Sequence, residues 1–196
     1  MYNTIVKIVA GVLLSTLASV AWSTQITCGS TQRTATLGPA DSCVTGSLSG
    51  SPGTPNAATI LAAYPGDAWS NVGSLTGNGS DSYLSTTLTS GSWNSNDVQG
   101  IWGIDSSFWS LYNEAVISIH VGNGNGDPDY FAWFITPDST SGTWSYKRLT
   151  GGGGGLSNMF LWGRNVTKVP EPGTVALLGL GLVGLGLRRL TRKNRH

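Results

Sequence analysis

Charge is the first thing this 196-residue chain is short of: Asp, Glu, Lys and Arg together make up 11% of it, against about a quarter of an ordinary globular chain. Long surface helices draw on Glu, Lys, Ala and Leu, so their raw material is largely missing. Histidine occurs only as His120 and His196. A nucleophilic serine or cysteine needs a positioned base, and the strained G-x-S-x-G turn is absent too, because the nearest match, residues 46–50, carries Leu48 in the nucleophile slot. Glutamate is as scarce. Glu114 is the only one before residue 169, whereas glycoside hydrolysis wants two facing carboxyls and would have to find them among aspartates. These shortages predict a protein that is not an enzyme.

Cysteine is limited to Cys28 and Cys43. No third cysteine or nearby histidine completes a zinc set, so an oxidising compartment makes the disulfide the default. Closing a loop of that length contributes about 3 kcal/mol by restricting the unfolded chain.

Long apolar runs are missing from the interior and appear at the two ends. Residues 1–23 carry one cation, Lys7, then an apolar stretch over 8–18 and the small residues Ser19, Val20 and Ala21. This is the layout of a secretory signal peptide ending at residue 21 or, as second choice, 23. At the other end Pro170, Glu171 and Pro172 precede an apolar run over 175–187, which stops at Arg188, Arg189, Arg192, Lys193 and Arg195. Proline fixes its own φ and pushes the preceding residue out of the helical region, so the triplet is a stiff spacer. A transmembrane helix over about 174–187 spans roughly 20 Å, less than the roughly 30 Å hydrocarbon core. The arginines must therefore snorkel, and they mark the cytoplasmic end.

Between those ends, residues 24–168 suit one domain. Its cations are Arg33, Lys147, Arg148, Arg164 and Lys168, against nine carboxylates, a formal −4. Nucleic acid and anionic lipid, which need clustered cations, are excluded as partners.

What the middle has in abundance is Gly, Ser, Thr, Asn and Trp, a composition of short strands and tight turns. Residues 114–121 (EAVISIHV) alternate as a half-buried strand, with Ile117, Ile119 and Val121 on one face and Ser118 and His120 on the other. Asn123-Gly124 and Asn125-Gly126 favour a hairpin turn, and residues 130–135 (YFAWFI) return. Further strands are predicted over 69–75, 83–88, 100–104, 142–148 and 159–164, with residues 151–155 as a glycine loop before the last. Residues 57–64, capped by Asn56 and ended by Pro65, form the one helix, after a linker-like stretch over 45–56. Residues 28–43 read as a hairpin or irregular cap. Together these predict an all-β ectodomain, a β-sandwich of jelly-roll type.

Two sets of side chains are candidates for ligand binding. Asn123, Asn125, Asp127 and Asp129 offer oxygens at every second position, as a calcium loop does, although Phe134 stands where an EF-hand needs its last carboxylate. A polar hairpin tip is the plainer reading. Seven tryptophans (Trp69, Trp93, Trp102, Trp109, Trp133, Trp144 and Trp162) fall across the domain. About five of them suit the core, while Trp93 and Trp109 are the candidates for an exposed platform on which sugar rings would stack.

The proline–glutamate–proline triplet, the Gly/Leu-rich span and the basic cluster, in that order at the extreme C-terminus, resemble the PEP-CTERM protein-sorting signal. The resemblance covers residues 169–196. It implies export from a Gram-negative bacterium through the secretion translocon and signal peptidase, an inner-membrane intermediate, and removal of the tail by exosortase, an intramembrane transpeptidase-like enzyme that reads the triplet. Residues 141–144 (SGTW), the glycine run and residues 156–164 (LSNMFLWGR) also resemble what many PEP-CTERM ectodomains carry before the signal. The function so implied is that of a non-catalytic envelope or extracellular-matrix protein associated with exopolysaccharide or biofilm. The alternative is a secreted carbohydrate- or calcium-binding module.

Overall fold

The computed structural model describes residues 24–48, 54–122 and 126–166. The expected signal peptide, the sorting triplet, the short apolar helix, the basic stop, Asn123 and Asn125 lie outside the described residues.

Among the described residues eleven strands form two antiparallel sheets. The six-stranded sheet has the order β1 (Ile26–Gly29), β2 (Arg33–Gly38), β10 (Ser141–Arg148), β7 (Asp97–Ile104), β6 (Leu84–Ser90) and β5 (Gly79–Asp81). The five-stranded sheet runs β3 (Ala40–Gly46), β9 (Tyr130–Ile135), β8 (Glu114–Val121), β11 (Leu156–Arg164) and β4 (Ser70–Leu75). Two short helices, α1 (Ala57–Ala63) and α2 (Phe108–Leu111), complete the all-β body. One core joins the sheets, with Leu37, Val98, Trp102 and Tyr146 from the first meeting Ile117, Ile119, Phe131, Trp133 and Leu161 from the second.

The predicted hairpin is β8 paired with β9, with Ile117 opposite Trp133 and Ile119 opposite Phe131. Asn56 caps α1 as its sequence position requires, accepting the Thr59 amide at 2.9 Å. One expectation holds in part and one changes. Residues 28–43 do begin in a hairpin, with Cys28 and Gly29 of β1 opposite Ala35 and Thr34 of β2, but they are no irregular cap, since they run on into β3 of the other sheet. And β8 is not half-buried, for Val116 and Ser118 are as fully enclosed as Ile117 and Ile119.

The reason is topological. Strands β3 and β4 are opposite edges of the five-stranded sheet, so the chain joining them crosses its outer face. Ile60, Tyr64 and Trp69 on that crossing pack with Val116, Tyr130, Ala132, Phe160 and Trp162 in a second apolar cluster. Tyr64 donates its hydroxyl to the Ala132 carbonyl at 2.8 Å, and burial pushes its pKa up to about 12. Among the described residues nothing covers the outside of the six-stranded sheet: in β7, Val98, Gly100 and Trp102 are buried while Asp97, Gln99 and Ile101 are exposed. Gly100 is required there, because a Cβ would come within 2.7 Å of the Trp144 indole.

Trp69, Trp102, Trp133, Trp144 and Trp162 are core residues, and Trp93 and Trp109 are half-buried against it. Each of the seven donates its indole N–H to another part of the fold. Trp133 reaches the Ile26 carbonyl on the opposite sheet at 3.0 Å and Trp144 the Thr86 hydroxyl at 2.9 Å. With little charge available for surface networks, these struts supply directional bonds that leucines cannot.

Candidate functional site

The five-stranded sheet delivers the C-terminal tail from an interior strand. β11 is flanked by β8 and β4, and its last residue, Arg164, is buried. The Arg164 Nε donates to Glu114 Oε2 at 2.6 Å. Its Nη1 donates to the carbonyls of Tyr64, Pro65 and Asp67 at 3.0, 3.2 and 3.3 Å. The guanidinium also lies 4.1 Å over the Trp69 ring, a cation–π contact. Just beyond, Asn113 exchanges two hydrogen bonds with Val166, at 2.8 and 2.9 Å, and the Asn165 amide donates to the Leu111 carbonyl at 2.5 Å. The chain thus leaves the fold from a fastened root.

Family comparison gives the tail beyond that root its meaning: residues 168–193 match the PEP-CTERM protein-sorting motif. This is a PEP-CTERM domain-containing protein. The PEP-CTERM motif implies an exported protein, handled at the membrane by exosortase-type processing. No curated protein and no solved structure matches the chain. In the PEP-CTERM chain the motif begins two residues after the last described one, Val166. In the sequence Arg164 is legible only as a cation of the domain, and no local signal marks Glu114 and Trp69 as its partners, because both reach it through sheet pairing or the crossing segment.

At the opposite end of the body lie the predicted turn ligands that are described, Asp127 and Asp129. Arg33 is 0% exposed and its Nη1 sits 3.2 Å from Asp129 Oδ1, with a second bond to the Pro128 carbonyl at 3.0 Å. The other Asp129 oxygen accepts the Leu48 amide at 3.2 Å. Asp127 accepts the Ser47 hydroxyl, and its amide donates to Gln32 Oε1 at 2.7 Å. These aspartates hold a turn and a buried cation, and residues 47–48 of the expected linker are bonded into the same corner. Among the described residues, no three His, Cys, Asp or Glu side chains converge as a metal set would require. Gly126 covers the guanidinium so closely that a Cβ there would meet Arg33 Nε at 2.9 Å.

The predicted sugar platform is not exposed as a pair of open rings. Trp93 packs edge-on to Trp144 with centroids 6.1 Å apart and donates to the Ser157 carbonyl at 3.0 Å. Trp109 stands edge-on to Phe108 at 5.0 Å and donates to the Ser139 carbonyl at 3.0 Å.

His120, on the outer face of β8, is half-buried with Nδ1 3.4 Å from Asn158 Oδ1. Burial lowers its pKa from the ordinary 6.5; the Asn158 bond and the Asp129 charge work against that, and Arg33 adds to it. The unfolded chain therefore takes up the proton first as pH falls. Stability from the neutral ring is complete above 6.5 and is lost as pH drops from 6.5 toward the lowered folded value. Urea melts between about pH 7 and 5 are expected to show this loss, at most about 1.4 kcal/mol per pH unit for one proton, with the His120 contribution absent in His120→Gln. An unchanged pH slope in that variant removes His120 from the account.

Proposed function

We propose that the chain is an exported, non-catalytic envelope or extracellular-matrix protein of a Gram-negative bacterium, sorted through its C-terminal tail and associated with exopolysaccharide. The PEP-CTERM motif over residues 168–193 carries this reading. Support comes from the rest of the chain: an apolar leader with a small-residue end over 1–23, and a disulfide joining Cys28 to Cys43, the chemistry of an oxidising compartment. In this reading exosortase recognises Pro170, Glu171 and Pro172, residues 175–187 hold the precursor in the membrane, and Arg188, Arg189, Arg192, Lys193 and Arg195 stop it there. The non-catalytic part is supported by His120, whose imidazole faces Asn158 rather than a nucleophile.

In a host with exosortase, Glu171→Ala or deletion of residues 188–196 is expected to leave most of the protein as full-length precursor at the inner membrane. Mass spectrometry of the C-terminus reads the result, and processing at the wild-type site and yield in both variants refutes the reading.

A further inference from the structure

The open outer face of the six-stranded sheet carries a groove of about 330 Å³, at the small end of the roughly 300–1,000 Å³ typical of ligand sites. Strand register explains its lining. Thr36, Ser145 and Gln99 are direct partners across β2, β10 and β7, and two residues along, Thr143 pairs with Ile101. Outward positions repeat about every 6–7 Å along a strand and about 4.8 Å across strands, so these side chains form a small lattice of hydroxyls and amides. Gln25 closes one flank and donates to Thr143. Gly100 and Trp144, paired across β7 and β10 at core-facing positions, form part of its floor.

The chemistry of that lining is narrow. Among the described residues none that is charged lines the groove, and the nearby exposed pair Lys147–Asp97 neutralises itself at 3.5 Å. A phosphate or carboxylate would find no cation in the lining, and a purely apolar ligand would bury the Gln99 amide and the Ser145 hydroxyl, which have no side-chain partner among the described residues. Hydroxyls and amides both donate and accept, which suits a ligand whose own groups do the same. Ile101, 46% exposed, supplies one apolar contact for the C–H face of a ring.

We propose that this groove binds a segment of neutral polysaccharide, held by Thr36, Gln99, Thr143 and Ser145 with Ile101 against a sugar ring. The proposal rests on the exopolysaccharide association above and locates it on the fold, in a lining that includes neither Trp93 nor Trp109. The test is titration calorimetry of the full-length chain in a detergent without a sugar headgroup. The probes are neutral gluco-, manno- and galacto-hexasaccharides, a uronate hexasaccharide as charge control, and exopolysaccharide from the producing cells. Saturable binding of a neutral glycan is expected, with the uronate weaker. Ser145→Arg, which fills the groove from the open face, is expected to abolish it. Gln99→Ala with Thr143→Ala is expected to weaken it about tenfold through lost hydrogen bonds, and each variant keeps the wild-type melting temperature. Glycan binding that survives Ser145→Arg overturns the groove and leaves the matrix association standing. Failure of every glycan, the native polymer included, overturns both, and tighter binding of the uronate overturns the neutral-ligand assignment.

Discussion

Asp129→Ala is expected to destabilise the domain by about 3 kcal/mol, at the low end of the cost of removing one partner from a buried ion pair because the Asp129 carboxylate keeps some contact with water. Arg33 is 0% exposed and Asp129 26%, so the substitution strands a desolvated cation, not a surface charge. Two of the guanidinium nitrogens, Nε and Nη2, already lack a hydrogen-bond partner among the described residues, which leaves the Nη1 contacts to Asp129 and to the Pro128 carbonyl as the compensation. The penalty belongs to the orphaned charge. Adding Arg33→Met to Asp129→Ala should therefore restore most of the loss, since a hydrophobic group of similar size suits a buried site as well as an ion pair does. Denaturant unfolding of both single variants and the double variant decides it. A loss below about 1 kcal/mol for Asp129→Ala, the range of exposed pairs, means that Asp129 does not stabilise Arg33.

Removing the disulfide with Cys28→Ser and Cys43→Ser is expected to cost about 3 kcal/mol, the loop-closure value for bridged residues this far apart, where the separation is 15. Its position gives the number a structural meaning. Cys28 is on β1 and Cys43 on β3, edge strands of different sheets, so the bridge closes the open side of the two-sheet body where no strand pairing does. The guanidinium chloride midpoint should fall while the oxidised protein keeps its higher value, and reducing agent should lower the wild type to match the variant. Coincident midpoints for oxidised and reduced protein refute a stabilising role.

Legibility in the sequence followed locality. The β8–β9 hairpin, the Asn56 cap and the glycine loop before β11 depend on neighbours a few residues apart, and all three were readable. Five of the seven tryptophans are in the core, the number that their spread across the strands implies. The chain pattern could not show that β3 and β4 are opposite sheet edges, and that fact alone turns Val116 and Ser118 from a polar-facing pair into core. Arg33 and Arg164 were invisible as anchors for the same reason, since their carboxylate partners lie 96 and 50 residues away. The alternation Asp127, Asp129 looked like a ligand pattern because the cation that uses Asp129 comes from another sheet. The groove went unseen because Thr36, Gln99 and Ser145 are unremarkable until register aligns them.

The fastened root at Arg164 and Asn113 sets a limit on how far the cargo can stand from its anchor. Val166 is the last described residue and Pro170 is four positions on, which puts the triplet at most about 14 Å from it at full stretch. On the proposed route the apolar run begins at residue 175, nine positions after Val166, so the uncut precursor stands at most about 32 Å from the start of its membrane segment. A peptidase reaching for the triplet has to work in the gap beneath the domain, and linker insertions after Val166 become a direct handle on how fast it does so.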